Sequence, residues 1–201
     1  MSVLFEVEKL VAGYGNVFKT KPLALSVQTG VIYLTGGNGS GKTSLMRTLS
    51  AELQPLSGSV KINGKSVHDQ VKSRRHIALA SSSPELPGFL TVKQACQFAA
   101  SLRAKPKWNG DAYCEALNLP TDLLLSTASA GQRRKAELIC ALAGEPEVIL
   151  LDETFAHLDT DAISQVCDWI NNWRSQRLLI MTHHGELPVQ PDQVIQIHPD
   201  R

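Results

Sequence analysis

One octapeptide constrains this chain more than anything else in it. Residues 36–43 read Gly36-Gly37-Asn38-Gly39-Ser40-Gly41-Lys42-Thr43, a full match to the pattern GxxxxGK[ST]. An apolar run, Val31-Ile32-Tyr33-Leu34-Thr35, leads in, and a helical stretch, Ser44-Leu45-Met46-Arg47-Thr48-Leu49, leads out. A strand that turns through glycines into a helix N-terminus points backbone N–H groups at an anion that the helix dipole already favours. The expected ligand is a nucleotide: the Gly36 to Gly41 backbone surrounds the β-phosphate, the Lys42 ammonium lies between the β- and γ-phosphates, and the Thr43 hydroxyl ligates Mg²⁺. Gly36, Gly37, Asn38, Gly39, Ser40, Gly41, Lys42, Thr43 and Ser44 are therefore candidate nucleotide-binding residues, in a loop that by itself leaves kinases, GTPases, helicases and transport ATPases open.

The rest of the chain suits an α/β fold. Residues 31–35, 148–152 and 178–182 are continuous apolar runs of the kind buried on both faces of a parallel sheet, and 77–80 is a weaker fourth. Residues 4–8, 24–27 and 59–62 alternate as half-buried antiparallel strands do, the last before a turn at Asn63-Gly64. From 84 to 128 the strand signal gives way to helix, clearest over 92–100, so a helical insert is expected within a single domain spanning 1–201. Balanced charge, +1 formally, argues against a large basic surface for nucleic acid. No apolar run approaches the ~20 residues that cross a bilayer, and charges near the N-terminus interrupt any secretory signal, so a cytoplasmic protein is expected. Cys96, Cys114, Cys140 and Cys167 lack metal-site spacing and are expected as buried or inert thiols.

A second group of residues completes the phosphate chemistry. Val148-Ile149-Leu150-Leu151-Asp152-Glu153 is an apolar strand ending in two carboxylates, at the strand end where α/β sheets hold their ligands. Alternation sends the two carboxylates in different directions. Asp152 is placed to hold the metal directly or through water, and Glu153 to accept a proton from the water that attacks the γ-phosphate. Ser129 is well placed as N-cap of a helix running through 133–142, and Thr182-His183 ends the next apolar strand.

Taken together, the phosphate loop, Ser129-Ala130-Gly131-Gln132, Asp152-Glu153 and Thr182-His183 resemble, in order and over essentially the whole chain, the ATP-binding cassette family. The resemblance implies a P-loop NTPase (RecA-like) α/β fold: a parallel-sheet core with an antiparallel β subdomain and a small α-helical insert. It implies ATP and Mg²⁺ as cofactors and ATP hydrolysis, with Glu153 and His183 catalytic and the metal held by Thr43 and Asp152. By the same resemblance Tyr14 stacks on adenine, Ser129, Gly131 and Gln132 form the signature that covers the nucleotide of a second cassette, and Asp159 belongs to the D-loop. His184 is read as a surface residue, and Trp169, Trp173 and Phe98 as core.

Three positions depart from the family pattern. The glutamine that usually reaches the metal and its water aligns with Ser83, Thr154 stands where a proline is usual, and Ala128 replaces the signature leucine. Ser83 is carried as a metal-site candidate whose short hydroxyl would leave a gap for water. The resemblance also implies partners: a second cassette, in a homodimer, and a separately encoded transmembrane permease that holds the protein on the cytoplasmic face of the inner membrane. Residues 38–45, 129–134 and Phe155 look most like the haem-exporter ATPases of cytochrome c maturation. A non-hydrolysing regulatory cassette of a heteromeric transporter, and a soluble cassette ATPase outside transport, stay open as alternatives.

Overall fold

The computed structural model describes residues 4–15, 17–81, 86–106, 109–156 and 158–200. Two sheets organise them. Strands β1 (Phe5–Val11), β2 (Leu23–Val27), β4 (Ser57–Ile62) and β5 (Lys65–Ser66) form an antiparallel sheet in the order β2-β1-β4-β5. Asn63 and Gly64, both at positive φ, make the tight turn between β4 and β5, the backbone geometry that matches the twist of a two-residue hairpin.

The second sheet is parallel, in the order β6-β7-β8-β3-β9, from β6 (Ile77–Ala80), β7 (Val148–Asp152), β8 (Leu178–Thr182), β3 (Gly30–Thr35) and β9 (Gln193–Gln196). Its central strands are fully buried, which is why they read as unbroken apolar runs. Their alternation divides the core. Ile32, Leu34, Val148, Leu150, Leu178 and Ile180 pack with helix α1 (Lys42–Leu49) and the antiparallel sheet. Val31, Ile149, Leu151, Leu179 and Met181 pack on the opposite face, under α3 (Val92–Ser101), α5 (Ala130–Leu142) and α6 (Thr160–Trp173).

Every expected strand is present, with ends moved by up to three residues. The one-turn α2 (Val71–Arg74) and strands β5 and β9 carried no clear signal. In β9, Gln193-Val194-Ile195-Gln196 lies at the sheet edge with three of four residues exposed, so no burial pattern marks it. Between β6 and α5 the described residues form α3 and α4 (Gly110–Ala116) and no strand, a helical insert; its expected start at 84 lies outside the described residues. The three insert and signature-helix thiols, Cys96, Cys114 and Cys140, are buried and unbridged as expected, and Cys167 is half-buried. Trp169 and Trp173 stack at 6.0 Å against the core. Phe98 does not: it is 63% exposed, because α3 turns that face away from α5. Among the described residues no helix is long and apolar enough to cross a membrane.

Candidate nucleotide and phosphate site

The phosphate loop occupies residues 36–41, between β3 and α1, and only glycine fits its two tightest points. Gly41, the N-cap of α1, has φ +97°, and a Cβ there would lie 2.6 Å from the Phe18 ring and 2.7 Å from Thr20 Cγ2. A Cβ at Gly36 would meet Ser40 Oγ at 2.5 Å and the Ile197 carbonyl at 2.8 Å. Lys42, almost fully buried, folds back over the loop: its Nζ donates to the carbonyls of Gly36 (2.8 Å) and Gly37 (3.3 Å). That pose holds an ammonium against the loop backbone, on carbonyls rather than a carboxylate in these two hydrogen bonds. The buried Ser40 Oγ has no hydrogen-bond partner among the described residues, so the loop carries an orphaned polar group as well.

A cavity of about 490 Å³ opens over the loop, lined by Tyr14, Phe18, residues 38–44, Glu153 and His184. Its lining combines two aromatic rings, the phosphate-loop residues and a carboxylate. Tyr14, the loop and Glu153 thus line one cavity. Phe18 and His184 were not anticipated. Phe18 reaches the site only because the chain doubles back, the Tyr14 N–H donating to the Phe18 carbonyl at 2.8 Å. His184 is exposed, as expected, yet its Nε2 lies 3.5 Å from Glu153 Oε1.

Asp152 continues the β7 parity that faces α1, and it is 2% exposed. Thr182, fully buried at the end of β8, donates from Oγ1 to Asp152 Oδ1 at 2.7 Å and accepts from the Glu153 N–H at 3.0 Å. One hydroxyl therefore orients both carboxylate-bearing residues. Glu153 leaves the strand with φ +53°, a left-handed backbone that a non-glycine residue adopts at a cost, and this turn brings its side chain to the cavity. The donor chemistry suits Mg²⁺, since the Asp152 carboxylate and the Thr43 hydroxyl are hard oxygens. Ser83 lies outside the described residues.

His183 is packed away from the cavity. Its ring stands edge-on to Phe155 at 5.7 Å, its carbonyl accepts from the Tyr33 hydroxyl at 2.9 Å, and its Nδ1 is buried without a partner among the described residues. The signature residues are also elsewhere. Ser129 caps α5 in a reciprocal box: its Oγ accepts from Gln132 N–H at 3.2 Å, and Gln132 Oε1 accepts from Ser129 N–H at 2.9 Å, with Gly131 in the first turn. Asp159 caps α6 through the Ala162 N–H (2.9 Å) and pairs with Lys135 at 2.6 Å; the Lys135 ammonium, then that N–H, hold its carboxyl below the usual aspartate range. The sequence reading missed Arg134, 6% exposed beneath Glu153.

A P-loop between β3 and α1, with a strand-end carboxylate across β8, defines a P-loop nucleotide-binding protein of the α/β class. Comparison with known proteins narrows this. The ABC transporter family model matches residues 20–156, and the chain belongs to that family. A sulfate/thiosulfate import ATP-binding protein of Thermosynechococcus vestitus is 29% identical over 200 residues, covering 94% of this chain and 60% of that protein. This chain therefore spans about 60% of the length of that relative. An ABC transporter ATP-binding protein of Halobacterium salinarum is 30% identical, over 90% of this chain and 82% of that one. In fold, the chain is similar to an ATP-binding cassette solved as a dimer in a post-hydrolysis state with ADP and Pi (TM-score 0.79, 17% identity, 96% of this chain and 94% of that one).

Proposed function

We propose that this protein is the ATP-binding and hydrolysing subunit of an ABC transporter, which drives a separate membrane subunit by ATP-dependent pairing of two cassettes. The observation that carries this is a division within the chain. Tyr14, the phosphate loop and Glu153 share one cavity, while the capped, exposed N-terminus of α5 at Ser129 is not part of it. A helix N-terminus is an anion site, so a second copy can supply the missing wall over the γ-phosphate. A cassette of the same fold solved as a dimer with ADP and Pi supports the pairing of two copies.

In this reading the N–H groups of residues 38–43 and Lys42 hold the phosphates, and Tyr14 with Phe18 packs on the base. Thr43 and Asp152 hold Mg²⁺, which when bound neutralises phosphate charge. Glu153, held at the cavity wall, accepts the proton of the attacking water, a contribution of about 10² to 10⁴ in rate. His183 contacts the γ-phosphate once its ring turns from Phe155, and Gln132, Gly131 and Asp159 face the partner cassette. The transmembrane partner and a position on the cytoplasmic face of the inner membrane follow from the family. Haem export in cytochrome c maturation is the substrate reading drawn from residues 38–45, 129–134 and Phe155; the relatives named above include a sulfate/thiosulfate import ATP-binding protein instead.

The test is steady-state hydrolysis across a protein concentration series, with Glu153→Gln alongside. Hydrolysis rising more than linearly with protein, lost in E153Q while ATP binding and ATP-dependent dimers persist, is expected. ATP binding by wild type without hydrolysis or dimers at any concentration supports the regulatory alternative and overturns the proposal.

A further inference from the structure

The least explained group near the cavity is a buried arginine. Arg134 lies in the second turn of α5 and spends its whole guanidinium on backbone carbonyls and one carboxylate. Nε donates to the Thr154 carbonyl (3.2 Å), and Nη2 to those of Asp152 (3.1 Å) and Glu153 (2.6 Å). Nη1 donates to the Ser81 carbonyl, just past the end of β6, and to Glu137 Oε2 at 3.2 Å. Three successive carbonyls, those of residues 152–154, thus converge on one planar fork.

That convergence matters because of Glu153. Its φ of +53° is costly for a residue with a Cβ and persists only where its surroundings over-determine it. Thr182 secures its N–H, and Arg134 secures its carbonyl and those on either side. Without the fork, the three carbonyls lose a shared charged donor, the Glu153 carbonyl keeping the Ala156 N–H at 3.2 Å, and the turn relaxes towards strand or helix geometry. The Glu153 carboxylate then swings off the cavity wall.

We propose that Arg134 is a positioning residue for hydrolysis: it holds Glu153 in its left-handed turn, aimed into the phosphate cavity, and ties that pose to the N-terminal half of α5. The proposal rests on the reading of Glu153 as the base. It adds a mechanical link, since a shift of α5 when its capped end meets a second nucleotide reaches the Glu153 carbonyl through the Arg134 side chain.

Arg134→Lys is the test. Lysine keeps the charge but has one nitrogen, which cannot span carbonyls from residues 81 and 152–154. kcat and KM for ATP, affinity for mant-ATP, and amide hydrogen exchange over residues 150–156 are measured, with exchange over 42–49 as internal reference. The expected result is a kcat lower by about ten- to a hundred-fold, the cost of a misplaced reacting group. KM and mant-ATP affinity stay within about two-fold, and faster exchange is confined to 150–156. A kcat within about two-fold of wild type, or unchanged exchange at 150–156, overturns the proposal. So does a parallel loss of mant-ATP affinity with faster exchange throughout, the mark of a purely structural role. If wild type binds mant-ATP without hydrolysing ATP, the ATPase reading fails by itself, and exchange at 150–156 still decides what Arg134 holds. Arg134→Gln, which retains two donors, replaces R134K should the latter not fold.

Discussion

Thr182→Val tests the core of the site with almost no change of shape. The side chain is fully buried, so valine fills its volume but cannot donate to Asp152 Oδ1 (2.7 Å) or accept from the Glu153 N–H (3.0 Å). A hydrogen bond to a charged group contributes about 1.5 to 3 kcal/mol, and a buried N–H left without a partner costs about 1 to 3 kcal/mol. The two share one atom and do not add fully, so the loss is about 3 kcal/mol. For a chain of this size that is a fall in Tm of roughly 6 to 12 °C. Hydrolysis falls by about a hundred-fold, because the Asp152 carboxylate and the Glu153 backbone lose their common anchor. Thr182→Ser keeps the hydroxyl and restores most of both. Thermal melts followed by circular dichroism, with ATPase assays on the folded fraction, measure the two effects. A T182V protein that melts within about 2 °C of wild type and hydrolyses ATP at half its rate or better refutes the anchoring role.

Gly41→Ala forces a Cβ to within 2.6 Å of the Phe18 ring at φ +97°, whereas Gly39 has φ +73° with nothing within 4 Å of a Cβ. G41A therefore loses about 2 kcal/mol or more and its fluorescent-nucleotide binding, while G39A loses about 1 kcal/mol from backbone strain alone; equal effects in a melt and a titration contradict the loop geometry. Burial pushes the Glu137 carboxyl up to about 6 against the pull of Arg134. The stability this group contributes is complete below pH 4.5 and is lost as the pH rises through 6, about 2 kcal/mol in all. In urea unfolding, Glu137→Gln should therefore gain on wild type by about that amount between pH 4.5 and 7; a difference that does not vary with pH removes the burial argument.

Much of the binding half of this site is local chemistry and was readable as such. Gly36, Gly39 and Gly41 supply the positive φ torsions of a loop into a helix, and 148–152 reads as an interior strand because Val148 to Leu151 is an unbroken apolar run. Ser129 caps α5 with the very residue, Gln132, that lies three positions on. Phe98 shows the limit: its apolar character fits a core, but which face of α3 meets α5 is set by the packing of whole helices.

What the chain alone determined, then, was the inventory: a phosphate loop, two carboxylates at a strand end, a capped helix and their order. Contacts between residues far apart in sequence were decided only by the fold. His184 reaches Glu153, His183 turns instead to Phe155, and Phe18 walls the cavity because of loop paths that carry no periodicity. Arg134 is the clearest case. An arginine in a basic helical stretch reads as solvent-facing, since burying its charge is costly. It is buried here because the turn after β7 presents carbonyls that only the tertiary structure gathers in one place.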